Sequence, residues 1–319
     1  MTIFLITLFA TAVLVLTALP GYVLIKRNML TLNSIQDCSK LLMYVSQPCL
    51  VVYTFSTLKF SWEDFKNIGI FALLCTAINV IMLLGAYLIL RKKCENPLYR
   101  VMIIATTFGN CTFFGIPIIE AIFPDTASSL IVYASVYGVV MNIIGWSVGI
   151  AIIKQDLRAA SVKKILLNPA TVSAVVALVI YLFGIPLVFN LNGVRFTMLY
   201  DVITITGRLS TPLSMFIMGM RLATMRLRDV FTSPISYVAV AAKQLLMPLL
   251  AFALIYFLPI DPAMKSTFYV ITATPVASAV LNYSEIAGHG QKEAATMLLL
   301  GTILSVVTLP IMVLLLPLL

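Results

Sequence analysis

Apolar residues form ten long runs along this chain, and short polar segments separate the runs. Each run contains roughly 20 residues, the length of α-helix needed to cross about 30 Å of hydrocarbon. A run of this length without sustained charge is typical of a transmembrane helix. We therefore predict ten membrane spans, numbered 1 to 10, near residues 3–25, 37–58, 67–90, 98–121, 127–153, 166–189, 198–222, 233–258, 263–287 and 293–317.

The composition agrees with this pattern. The 319 residues are 61% hydrophobic and 10% charged, with a mean hydropathy of +1.06, and so few charges would not cover a soluble domain. The first run has no basic residue ahead of it and no small-residue cleavage site, so we expect a retained span and not a cleaved signal. The predicted fold class is an all-α membrane protein.

The basic residues are unevenly distributed between the loops. Loops after odd-numbered spans, with the flanking span ends, carry 14 of the 21 Lys and Arg, loops after even-numbered spans carry 4, and 3 lie within spans. The positive-inside rule then places the odd loops in the cytoplasm and both termini outside a cell inner (plasma) membrane. Topology accounts for the net charge of +9, so we predict no nucleic-acid partner.

A basic segment, KQDLRAASVKK at residues 154–164, divides the spans five and five. An odd number of spans in each half makes the second half insert upside down relative to the first. We predict a first five-helix repeat at residues 1–153, a cytoplasmic linker at 154–165 and an inverted second repeat at 166–319. The short echo between VSQP in span 2 and LSTP in span 7 agrees with this division.

Spans 4 and 9 contain residues that an uninterrupted membrane helix avoids. Span 4 includes TTFGNCTFFGIPIIEAIFP (106–124), and span 9 includes ITATPVASAVLNYSEIAG (271–288). Pro and Gly interrupt helical hydrogen bonding, and the freed backbone groups need partners in protein, water or ligand. One interpretation is a pair of kinks that aid packing. The two interruptions lie at equivalent positions of two inverted halves. This arrangement instead favours a binding site for an anion near the middle of the membrane.

Polar residues around the two interruptions are the candidate substrate ligands. Asn110 offers donors and an acceptor to a carboxylate or an ion, although an Asn at this place can also cap the second half-helix. Gly115, Pro117 and Pro275 are expected to shape the interruptions. The predicted substrate site comprises Gly109, Asn110, Cys111, Thr112, Lys243, Thr274, Pro275, Ser278 and Asn282.

Two cations fall deep within predicted spans. Lys243 lies about ten residues into span 8 and Arg208 about ten residues into span 7, where an unpaired charge costs at least ~2.5 kcal/mol. Each must therefore meet an acid, freed carbonyls, a water-filled cavity or an anionic substrate. For Lys243 the alternatives are substrate or coupling-ion handling and a structural partner such as Gln244, Asn79 or an unwound carbonyl of the adjacent helix. Arg208 is a candidate for direct contact with the substrate.

Two carboxylates follow the interruptions at equal distances. Glu120 and Glu285 lie ten positions after Asn110 and Pro275, and with Asn142 they are candidates for binding a coupling sodium or proton; an interfacial Glu in water is the alternative. No other cofactor is expected. The five scattered cysteines and the single His289 predict neither a metal site nor a disulfide framework.

The whole chain resembles the auxin efflux carrier family, and four segments carry the resemblance. They are GNCTFFGIPIIEAIFPD in span 4, ATPVASAVLNYSEIAG in span 9, NPATVSAVVALVIYLFGIPL in span 6 and KQLLMPLL in span 8. The chain departs from plant members at Gly109, where a Pro is usual, and at Val276, where a polar residue is frequent. An auxin substrate therefore does not follow from the resemblance.

The resemblance implies a scaffold of helices 1, 2, 6 and 7 and a transport domain of helices 3–5 and 8–10. Broken helices 4 and 9 would cross within the transport domain. It also implies elevator-type alternating access and a homodimer formed through the scaffold.

The predicted function is secondary active transport of small organic anions, namely carboxylates such as malate and malonate or auxin-like acids, by a protein that is not an enzyme. No P-loop occurs in the chain, so an ion gradient or voltage must supply the energy. A sodium-coupled symporter of another organic solute is the nearest alternative. A non-transporting sensor or an intramembrane enzyme is more remote, because no Ser/His or paired-Asp constellation occurs within the spans.

Overall fold

A computed structural model of the protein describes residues 2–156, 158, 162–191 and 194–319. Residues 157 and 159–161 of the predicted linker lie outside the described residues. The helices of the first half are α1 (Thr2–Leu16), α2 (Leu19–Lys26), α3 (Leu32–Leu41), α4 (Gln47–Ser56), α5 (Trp62–Leu90), α6 (Pro97–Ala105), α7 (Gly115–Ile122), α8 (Ala127–Ile144) and α9 (Ile150–Lys154).

The described residues of the second half form helices and one short hairpin. Its helices are α10 (Val162–Leu166), α11 (Pro169–Leu182), α12 (Met198–Arg208), α13 (Ser210–Thr224), α14 (Leu227–Phe231), α15 (Pro234–Ala241), α16 (Met247–Tyr256), α17 (Pro262–Thr272), α18 (Ser278–Ala287) and α19 (Gln291–Val313).

Long apolar helices make this a multi-pass membrane protein. Within the described ranges, five continuous helical stretches are long and apolar enough to cross a bilayer. The remaining predicted spans are shorter or are interrupted along their length. The five stretches are Thr2–Lys26, Trp62–Lys93, Ala127–Lys154, Pro234–Tyr256 and Gln291–Leu318.

Proline changes the local helix geometry in two of the spans without ending them. A π-helical turn at Leu42–Ser46 precedes Pro48, and another at Ala242–Leu246 precedes Pro248. Pro has no N–H and its ring clashes with the carbonyl four residues earlier, so the turn before it widens. The second of these turns contains Lys243.

Several helices begin with a polar cap followed directly by Pro. The side chains of Asn96, Asn168 and Asp261 accept hydrogen bonds from Leu98, Ala170 and Met264 backbone amides. Each cap satisfies an amide that has no helical partner, and Pro at the first position has no amide to satisfy. These signals fix where α6, α11 and α17 start.

Span 6 ends earlier than the sequence predicted. The helix α11 stops at Leu182, not near residue 189, because Gly184 takes a left-handed conformation (φ +57°) and Pro186 follows. An antiparallel hairpin of β1 (Phe189–Leu191) and β2 (Val194–Phe196) follows, with Phe189 opposite Phe196. The all-α prediction did not include this hairpin.

The helices pack in two groups. In one group, α13 lies along α2, and α11 and α12 lie along α4. In the other group, α5–α9 pack with α15–α19, while α1 lies against α7 and α19. The most completely buried residues belong to the second group, around the ends of α6 and α17.

Candidate functional site

The first interruption lies between α6 and α7. After Ala105 the chain leaves the helix for nine residues and resumes helical geometry at Gly115. The hydroxyls of Thr106 and Thr107 donate to the carbonyl of Ile103 at 2.8 and 3.1 Å, a local bonding pattern that competes with helix continuation. Pro117 is the third residue of α7, where an amide would have no helical partner.

The second interruption lies between α17 and α18, and it contacts the first. The backbone N–H of Asn110 donates to the carbonyl of Pro275 at 2.8 Å, and that of Ala277 donates to the carbonyl of Phe108 at 2.9 Å. Gly109 and Val276 face each other in an antiparallel bridge. Backbone groups released from both helices therefore satisfy one another in the interior.

Lys243 reaches these interruptions from the π-helical turn between α15 and α16. Its side chain is fully buried, and Nζ donates to the carbonyls of Thr272 at 2.7 Å and Thr274 at 3.0 Å. Thr272 is the last residue of α17 and Thr274 lies two residues beyond it, at the end of the helix where the dipole is negative. Freed carbonyls, one of the partners considered from sequence, are therefore the observed partners of this cation.

A cavity lies beside the joined interruptions. The space open to centres of water-sized molecules is about 60 Å³, several times the ~10–15 Å³ that a single water requires. The cavity extends from Asn110 towards the beginning of α11 at Asn168 and the end of α13 at Arg221. It is large enough for several waters or for a small polar group.

The cavity brings together most of the predicted site. The predicted residues that line it are Gly109, Asn110, Cys111, Thr112, Asn142, Ser278 and Asn282. Lys243, Thr274 and Pro275 are not among its lining residues. They lie at the bridge, where the Pro275 carbonyl accepts from the Asn110 N–H and Lys243 donates to the Thr274 carbonyl.

Two polar atoms of the cavity lack hydrogen-bond partners. Asn110 and Ser214 are each 3% exposed, and both line the cavity. Among the described residues, neither Asn110 Nδ2 nor Ser214 Oγ has a hydrogen-bond partner. Buried polar groups in proteins are nearly always paired, so these two atoms retain unused hydrogen-bonding capacity beside the cavity.

An aromatic wall closes one side of the cavity. The Tyr283 hydroxyl donates to Asn142 Oδ1 at 3.1 Å, and its ring packs edge-on against Phe108 and Trp146 at centroid distances of 6.0 and 5.9 Å. A β-carbon at Gly145 would lie 2.4 Å from this ring. Only the absence of a side chain there lets Tyr283 approach α8 so closely.

Arg221 lines the cavity but was not predicted as a site residue. Its Nη1 donates to Glu285 Oε1 at 2.7 Å, and its side chain is 15% exposed. We assigned Arg221 to a cytoplasmic loop by its position near the end of a span. The signal that could have identified it was a cation inside predicted span 7, which also holds Arg208.

Glu120, the other predicted carboxylate, forms its ion pair outside the cavity. Glu120 Oε1 lies 3.9 Å from Arg208 Nη2, and the same Nη2 donates to the Tyr53 hydroxyl at 3.0 Å. None of these three residues lines the cavity. Glu120 and Glu285 thus each meet an arginine of the α12–α13 pair.

Comparison with known proteins identifies the family. A profile of the membrane transport protein family matches residues 6–164 and 156–313, which together cover most of the chain. A comparison with curated proteins gave no significant match. The chain therefore belongs to the membrane transport protein family, that of the auxin efflux carriers.

Proposed function

We propose that the protein is a secondary active transporter of small organic anions, such as malate, malonate or auxin-like carboxylates. The unpaired side-chain amide of Asn110 in the cavity carries this proposal. A buried donor without a partner costs about 1–3 kcal/mol, and a carboxylate oxygen is a strong acceptor for N–H groups. A substrate carboxylate would complete the hydrogen bonding at Asn110.

Two further features favour an anion in this cavity. The helix α18 begins at Ser278, which lines the cavity, and the N-terminus of a helix carries partial positive charge and unpaired amides. Arg221 adds a cation at the outer part of the cavity, partly neutralised by Glu285. Substrate would therefore meet Arg221 before it reaches Asn110.

The proposed architecture has ten transmembrane helices in two inverted five-helix repeats. In this arrangement α6 and α7 form a broken helix 4, α17 and α18 form a broken helix 9, and the two cross at the Gly109–Val276 bridge. Glu120 and Glu285 lie ten positions after Asn110 and Pro275, and this equal spacing in the two halves supports the internal symmetry.

The two packing groups support an elevator mechanism. Helices 1, 2, 6 and 7, which include α2, α4 and α11–α13, would form the scaffold and the homodimer interface, and helices 3–5 and 8–10, which hold both interruptions, would move. We place the protein in the inner membrane with both termini outside. An ion gradient or voltage would drive the cycle, with a proton or sodium as the coupling ion.

Ligand-dependent unfolding tests this proposal. Purified protein is heated with a panel of small carboxylic acids, in sodium and in potassium and at two pH values. A ligand at 100 times its Kd should add about 2.7 kcal/mol to the stability. The stabilisation should disappear in Asn110→Ala and persist in Asn67→Ala, which alters an Asn on α5 outside the cavity.

Uptake into proteoliposomes then measures transport of any acid that stabilises the protein. Stabilisation by neutral or cationic compounds alone would overturn the anion assignment. Normal uptake by Asn110→Ala at wild-type expression would show that the joined interruptions are not part of the substrate site.

A further inference from the structure

A second, larger depression lies on the outer surface between α5 and α8. Its volume is about 640 Å³, within the ~300–1,000 Å³ range of ligand pockets. Its walls are the faces of two helices, with Val80, Leu84 and Tyr87 on α5 and Ile144 and Val148 on the opposite side. We call this depression the α5–α8 groove.

The apolar wall of the α5–α8 groove is accessible from outside the protein. Val80 is 46% exposed, Leu84 53% and Val148 46%. Val80 and Leu84 are four residues apart, as are Ile144 and Val148 on the opposite wall, and this spacing brings residues to one face of a helix. The groove therefore presents a continuous apolar strip to the hydrocarbon of the membrane.

One end of the groove is polar and rigidly built. Arg91, Cys94, Gln155 and Asp156 line it. Gln155 Nε2 donates to the Cys94 carbonyl at 2.6 Å, which ties the end of α5 to the end of α9. Arg100 reinforces the same junction by donating to the Ile153 carbonyl at 3.0 Å.

Positive charge predominates at this polar end. The helix α5 runs directly into Arg91, Lys92 and Lys93, all exposed, and α9 ends at exposed Lys154. Asp156 is the one carboxylate in the described lining. Arg91 has no ion pair with an acid among the described residues, so its charge is available to an anion from outside.

The length of the groove matches one leaflet of a bilayer. Eleven residues separate Val80 from Arg91, about 16 Å of helix at 1.5 Å per residue. Half of a ~30 Å hydrocarbon core has nearly the same thickness. An acyl chain lying along the apolar strip would place its headgroup beside Arg91.

We propose that the α5–α8 groove is a binding site for an anionic phospholipid. One acyl chain occupies the strip between Val80 and Tyr87, and the phosphate meets Arg91 with the neighbouring lysines. Basic pockets between membrane helices recognise anionic headgroups in this way. This site is separate from the transport cavity and does not depend on the proposed substrate.

Native mass spectrometry of the purified protein tests this site. The protein is offered phosphatidylglycerol and phosphatidylcholine with identical acyl chains at equal concentration. We expect preferential retention of phosphatidylglycerol. Arg91→Gln should weaken that retention about fivefold, the effect of one cation near a headgroup, and Val148→Trp should block retention by filling the groove.

Matched variants separate this site from general lipid contact. Leu73→Trp places the same bulk on an exposed part of α5 outside the groove, and Lys26→Gln removes a cation at another helix end; both should retain phosphatidylglycerol normally. Equal retention of the two lipids by the wild type would overturn the proposal. A change of oligomeric mass in Val148→Trp would assign the groove to a second copy of the chain and would also overturn it.

Discussion

The ammonium of Lys243 lies against the backbone of Gly109. A β-carbon built on Gly109 would stand 2.8 Å from both Nζ and Cε of Lys243, and 2.8 Å from Thr274 Oγ1. No side chain fits at this position while Lys243 donates to the carbonyls of Thr272 and Thr274. The missing side chain at Gly109 and the placement of the cation therefore depend on each other.

Gly109→Ala should displace Lys243 and disturb the bridge between the interruptions. Overpacking of this kind typically costs about 1–3 kcal/mol, and we expect transport to be lost as Asn110 moves. Denaturant or thermal unfolding and uptake measure the two effects. Gly115→Ala is the matched control, because its β-carbon would make ordinary contacts of 3.5 Å or more. Similar behaviour of the two variants would contradict this account.

Lys243→Met should destabilise the protein, because the carbonyls at the end of α17 lose a charged donor. Hydrogen bonds to charged groups contribute about 1.5–3 kcal/mol, and we expect a loss of that size in the free energy of unfolding. Lys265→Met removes a partly exposed lysine that donates to the Tyr256 carbonyl and should cost less than about 0.5 kcal/mol. An unaltered stability of Lys243→Met would show that its hydrogen bonds are replaceable by water.

The Arg221–Glu285 pair should show a measurable coupling energy. Arg221 is mostly buried and the pair is short, so a double-mutant cycle with Arg221→Gln and Glu285→Gln should give about 1 kcal/mol, the upper end for partly exposed pairs. The exposed pair Lys40–Asp37, with 68% and 72% side-chain exposure, serves as comparison and should give close to zero. Equal couplings in the two cycles would argue against a structural role for Arg221.

Gly219→Ala should separate α2 from α13. A β-carbon at Gly219 would lie 1.8 Å from the Ala18 carbonyl oxygen, and small residues allow such close approach of membrane helices. We expect a loss of about 1–3 kcal/mol in unfolding free energy. Gly85→Ala in α5 has open space around it and should be neutral or stabilising by up to about 1 kcal/mol. Destabilisation by both variants alike would reject this packing argument.

The sequence predicted the interruptions better than it predicted their partners. Gly109, Pro117 and Pro275 mark both broken segments because backbone geometry is encoded locally. The bridge to Val276 was not predictable from residues alone, since hydrogen bonds between distant backbone groups leave no mark in a single sequence. Several partners for Lys243 were compatible with the sequence, and in the structure its partners are the carbonyls of Thr272 and Thr274.

Two errors have the same cause. The end of span 6 was placed near residue 189 because apolar residues continue past Gly184 and Pro186, and hydropathy outweighed the turn signals. Arg221 was assigned to a loop because charge near the end of a span is usually solvated. In both cases the general character of a segment, its hydropathy or its nearness to a span end, outweighed the individual residues that determined the structure.

The bridge at Gly109 and Val276 also constrains how the protein is made. A ribosome adds about 5–20 residues per second, so the 165 residues between Asn110 and Val276 take roughly 8–33 s to synthesise. Throughout that interval the carbonyl of Phe108 and the amide of Asn110 are already in the nascent chain but lack their native partners. The first half of the chain therefore completes its hydrogen bonding only after span 9 has inserted, which makes the two halves one unit of biogenesis.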